Sequence, residues 1–99
     1  NGRMEPEMAD LLAELDPAVY VLDCIWNMNP EMVAKRVGPF VRRLRRARPG
    51  TPILLVINRY MIGQVHPVER MGNAGFIMIP FDEQQICERI EMYFAISCP

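Results

Sequence analysis

Few residues of this chain have both the chemistry and the position to form a site. A β-branched, apolar run, Val19 to Leu22, leads into Asp23-Cys24-Ile25-Trp26-Asn27, and Asn29-Pro30-Glu31 then opens a helix. A strand apolar on both faces that ends in polar groups is the pattern of a buried parallel strand in an α/β protein. In such sheets ligands bind in the crevice outside the carboxyl ends of the strands, so a site in this chain has Asp23 and Asn27 near it. The plainer role for Asp23 is a strand-end carboxylate that accepts from nearby backbone amides. Hydroxyl nucleophiles are scarce: the one serine, Ser97, stands near the C-terminal end, and the one threonine, Thr51, lies between Gly50 and Pro52. Neither sits on a strand-to-helix elbow. Cys24, Cys87, Cys98 and His66 show no metal-ligand spacing. Gly72-Asn73-Ala74-Gly75 enters a strand rather than a helix, so it does not read as a phosphate loop. No cofactor and no metal are expected.

The elements that must position these residues are legible in order. Pro6 to Leu15 reads as a helix, with Met8, Leu11, Leu12 and Leu15 on one apolar face and Asp16-Pro17 as its stop. The first strand follows at about 18–25. The longest helix spans 30–47, with Val33, Val37, Phe40, Val41 and Leu44 inward. Pro39 cannot donate to the Lys35 carbonyl, which predicts a kink or loosened turn there. Arg42, Arg43, Arg45, Arg46 and Arg48 crowd the end of that helix, where cations are favoured. No aromatic residues interleave with them, so they read as a solvated face rather than a nucleic-acid surface. Ile53 to Ile57 is a second continuous apolar strand, 61–75 a loop or short helix, and Phe76 to Ile79 a third, shorter strand. Asp82 with Gln85 forms a capping box for a last helix at about 83–96, with Ile86, Ile90, Tyr93 and Phe94 inward. The whole predicts one α/β domain over 1–99, a flavodoxin-like or Rossmann-like layered fold with a small parallel sheet of about three strands flanked by helices and open at both edges.

Composition bounds the rest. At 99 residues the chain can bury one small core, and 51% hydrophobic with 23% charged residues is the composition of a soluble globular domain. A formal charge of −1 favours no class of partner. The apolar runs are too short to span a bilayer, and no signal-peptide pattern opens the chain. Three cysteines, an odd number without close pairing, argue against a disulfide framework and for a reducing, cytoplasmic setting.

Residues 1–58 resemble the middle of SGNH (GDSL-like) serine hydrolases, through PEMADLLAELDPAVYVLDC and then EMVAKRVGPFVRRLRRARPGTPILLV. The resemblance implies an acyl-ester hydrolase with Gly2 and Asn27 as oxyanion-hole donors, a Gly N–H approaching the acyl oxygen and an Asn amide adding a second hydrogen bond. It places the nucleophile upstream of residue 1. His66-Pro67 resembles the His-Pro of the family's D-x-x-H motif, which makes His66 the candidate base, but Gly63 stands where the Asp would be. Residues 72–94 resemble the end of a receiver domain, with Ile79 in place of that family's lysine. A shared flavodoxin-like architecture, a chimera or a designed recombination would each account for both resemblances. The functional expectation is a truncated SGNH-type hydrolase, inactive alone for want of Ser and Asp, against a non-catalytic structural or interaction domain. The expected partners are a second copy of the chain or a complementing chain, with no specific nucleic acid and no membrane.

Overall fold

The computed structural model describes residues 5–25 and 30–98. Helix α1 spans Pro6–Ala13, strand β1 Tyr20–Asp23, helix α2 Pro30–Ala47 and strand β2 Ile53–Ile57. A one-turn 3-10 helix at Arg59–Met61 leads into α3, Ile62–Glu69; β3, Ala74–Met78, and α4, Glu83–Phe94, complete the chain. The three strands are parallel in the order β1-β2-β3, with Val21 opposite Leu54 and Leu54 opposite Gly75. This is the small parallel sheet flanked by helices that the apolar runs predict.

Alternation along the strands decides where the helices go. Tyr20, Leu22, Ile53, Leu55, Ile57 and Ala74 point to one face and pack with Val37, Phe40, Val41 and Leu44 of α2 and with Val65 and Val68 of α3. Leu54, Val56 and Ile77 point to the other face and meet Ile90 of α4. Because β2 is central, all five of its residues are buried. The second face of β1 lies beyond α4's reach, so Val21 stays 45% exposed.

Several elements differ from the sequence reading, each for a physical reason. Helix α1 ends at Ala13, because the Tyr20 hydroxyl lies 2.7 Å from the Leu12 carbonyl and 2.9 Å from that of Leu15 while Arg48 Nε donates to Ala13 O at 2.7 Å. Those side chains take the carbonyls that a longer helix would have bonded. Its inward stripe is Met8, Ala9, Leu12 and Ala13, and Leu11 and Leu15 are exposed. Of the two readings of residues 61–75, a loop or a short helix, the structure has the short helix, α3. Strand β3 starts two residues early, at Ala74, after a turn with Gly72 at φ 82° and Asn73 at φ 55°. Helix α2 keeps the expected span, Pro30–Ala47, with Pro39 inside it.

The arginines at its end are not simply a solvated face. Arg45 donates to the carbonyls of Thr51, Gly72 and Asn73 at 3.0, 3.1 and 2.7 Å, which ties α2 to the turns that enter β2 and β3. Arg43 forms a fork on Asp10 of α1, at 2.9 and 2.7 Å.

Cysteine supplies a further correction. Cys87 and Cys98 form a disulfide, and Cys24 alone is a free thiol. Ala95 takes a left-handed conformation at φ 55° and turns the chain back along α4, which brings the two Cα atoms to 5.5 Å. The bond removes the premise of unpaired thiols on which the reducing, cytoplasmic expectation rested. No helix among the described residues is long and apolar enough to cross a membrane.

Candidate active site

The carboxyl edge of the sheet gathers Asp23 from β1 and Asn58, Arg59 and Tyr60 from the turn after β2. Asp23 is opposite Val56, and Cys24 N donates to Val56 O at 2.9 Å, so the two strand ends finish at one level. Asp23 Oδ1 accepts from Ile25 N at 2.9 Å. This Asx-type bond ties the Asp23 side chain to the backbone two residues on as the chain leaves β1. After β2, the Asn58 side chain accepts from Tyr60 N at 3.0 Å, and buried Met61 anchors the turn in the core. Tyr60 is 67% exposed, with the Arg59 guanidinium 4.9 Å from its ring centroid and donating to its hydroxyl at 2.8 Å.

Gly2 and Asn27, the two candidate oxyanion donors, lie outside the described residues. His66 lies within them, on α3 beside β3, while Asp23 stands on β1 with β2 between. The sequence offers no carboxylate three residues before it, but the helix puts one a turn after. Glu69 Oε1 is 3.2 Å from His66 Nδ1. The same carboxylate accepts from the Tyr93 hydroxyl of α4 through Oε2 at 3.1 Å. Glu69 thus links helices from both faces of the sheet around the edge of β3. The signal was available as an i, i+3 pair, once 62–69 is known to be helical.

The hydroxyl groups and the free thiol occupy different parts of the fold. Thr51 precedes β2 at the opposite, amino edge, and Ser97 is exposed on the stretch that turns back along α4. Cys24 is near the carboxyl edge but fully buried, with Sγ 3.7 Å from Leu22 O. Burial, reinforced by the neighbouring Asp23 charge, pushes its thiol up to about 12, so it is not available as a thiolate. No cluster of three metal-ligating side chains occurs among the described residues.

The sequence matches the profile of the GDSL-like Lipase/Acylhydrolase family over residues 1–72. The chain belongs to this family. A solved GDSL-like lipase from Bacteroides ovatus ATCC 8483 superposes with a TM-score of 0.75 at 24% identity. The match covers 98% of this chain and 42% of that one, so the chain spans less than half the length of this structural relative. Coverage of 98% takes in the tail at 72–94, which therefore belongs to the same fold as the first part. No curated protein matches the chain.

Proposed function

We propose that this chain is the part of a GDSL-type acyl-ester hydrolase that carries the oxyanion-stabilising loop, and that it does not hydrolyse esters by itself. The observation that carries the reading is the Asp23 turn. Its carboxylate holds the backbone at Ile25, two residues before Asn27, at the sheet edge where α/β proteins bind ligands. In this reading Asn27 donates its side-chain amide, and Gly2 its N–H, to the oxygen that gains negative charge in the tetrahedral intermediate. Asp23 positions the loop and takes no part in proton transfer. His66, oriented by Glu69, is the candidate base, and the nucleophile comes from outside the chain. The position of Thr51 before β2, at the amino edge, and of Ser97 on an exposed stretch outside any helix or strand, supports the last point. It also favours the second reading, a non-catalytic domain of this fold.

The test is an NMR titration of the isotope-labelled chain with butylphosphonate, an anionic mimic of the tetrahedral intermediate. The Asn27 side-chain amide and the Gly2 amide should shift together, and Asn27→Ala should abolish the shift at Gly2. Unmoved signals would favour the non-catalytic reading. In parallel, p-nitrophenyl acetate turnover should not saturate. Saturable turnover lost in Ser97→Ala would show that the terminal serine is recruited as nucleophile.

A further inference from the structure

Helix α2 carries Lys35, Arg36, Arg42, Arg43, Arg45 and Arg46 against one acid, Glu31, in a chain of formal charge −1. Like charges three and four residues apart on a helix repel, so this concentration opposes helix formation. The fold uses only part of it. Arg45 staples turns together and Arg43 holds Asp10. Lys35, Arg36 and Arg46 make no ion pair among the described residues.

These three converge with Arg43 on one groove. It has a volume of about 530 Å³ and lies between Glu5, at the start of α1, and Pro39 and Phe40 of α2. That is the size of a small-ligand site, on the order of 300–1,000 Å³. Arg36 and Arg46 are ten residues apart, which is about 15 Å along a helix. Arg43 stands between them with its Nε and Nη2 donors taken by Asp10, which leaves Nη1 and a partly balanced charge, so the paired donors of the groove are those of Arg36 and Arg46. Guanidinium groups present paired N–H donors that match phosphate oxygens, and a row of them suits more than one phosphate. Phe40 lines the groove but is only 4% exposed, so it offers no platform on which a nucleobase could stack. Glu5 is the one carboxylate among the described residues that line the groove, and it sets a repulsive limit on any anion placed there.

We propose that this groove is a phosphate-binding site that takes a polyphosphate or the phosphate of an ester between Arg36 and Arg46. The site is independent of the carboxyl-edge crevice and does not rest on the hydrolase reading. A free phosphate compound and a lipid headgroup share this chemistry.

The experiment is calorimetric titration of the chain with inorganic pyrophosphate, beside sedimentation with vesicles of phosphatidylglycerol or of phosphatidylcholine. Replacing both Arg36→Gln and Arg46→Gln removes two charge-assisted contacts and should weaken binding by about tenfold or more. Glu5→Gln should tighten it. Arg42→Gln, outside the groove, should leave it unchanged, with thermal melts showing that every variant is folded. Pyrophosphate binding with this pattern assigns a free phosphate compound. Binding with this pattern to phosphatidylglycerol vesicles alone assigns a headgroup. No binding to either, or equal losses from Arg42→Gln and the groove variants, would overturn the proposal and leave a solvated helix face.

Discussion

A Cβ built on Gly75 would lie 2.5–2.6 Å from Cδ2, Cε2 and Cγ of the Tyr93 ring. Contacts that close with the root of a ring cannot be relieved by a small side-chain swing. Gly75→Ala should therefore lower stability by about 1–3 kcal/mol, the range for overpacking a core, as measured by denaturant unfolding. In a Tyr93→Ala background the same substitution should cost little, and equal costs in both backgrounds would refute the assigned contact. The sequence shows a glycine entering a strand at this position. That its missing side chain makes room for a tyrosine 18 residues later became visible only when α4 was laid against β3. Asp23 was more legible, since a carboxylate at a strand end bonds its own loop over two residues whatever the fold around it. The disulfide between Cys87 and Cys98 was not, because it depends on the reversal of the chain at Ala95.

At the scale of elements, α1 and α2 are joined on their exposed side by the fork of Arg43 on Asp10. The hydrogen bonds from Arg43 hold the Asp10 carboxyl below its ordinary value of 3.8, against an opposing desolvation and with some help from the Arg43 charge. A carboxyl whose folded value is depressed contributes stability above its unfolded value and loses it as pH falls through the folded one. The stability gap between the native chain and Asp10→Asn should thus be present near neutral pH and shrink as pH falls below the ordinary carboxyl value of 3.8. Urea unfolding across this range measures it, and a gap that persists into acid would mean that the pair acts through packing. High salt should narrow the gap too, because both partners face solvent. The boundaries of α2 and β2 agree with the sequence reading, since long periodic or wholly apolar segments carry their own signal. The phase of α1 does not. Leu11 and Leu15 fit the helical period as well as Ala9 and Ala13 do, and only the position of α2 selects between the two stripes.

For the whole molecule, the exposed strand β1 carries the clearest consequence. Tyr20 N and Cys24 N donate toward β2, so by strand geometry the backbone groups of Val21 face away from it. No other strand pairs with that edge among the described residues. Open edges beside exposed apolar side chains, here Val21 at 45%, recruit further strands. The purified chain should therefore associate, and a twofold dimer is the commonest closed form. Light scattering after size exclusion should give a multiple of 11.4 kDa, and a concentration-independent monomer would refute the expectation. What the sequence determined by itself was local or periodic: two continuous apolar strands, the amphipathic helix between them, the capping box at Asp82, and a strand end at Asp23 that forms its own turn. What only the tertiary structure decided was long-range. Among the described residues it placed α4 alone on one face and left Val21 uncovered, gave His66 a carboxylate shared with Tyr93, spent Arg43 and Arg45 on distant partners, and left Lys35, Arg36 and Arg46 around one groove. Those outcomes depend on which surfaces meet, and the spacing of residues along one element carries no information about its neighbour.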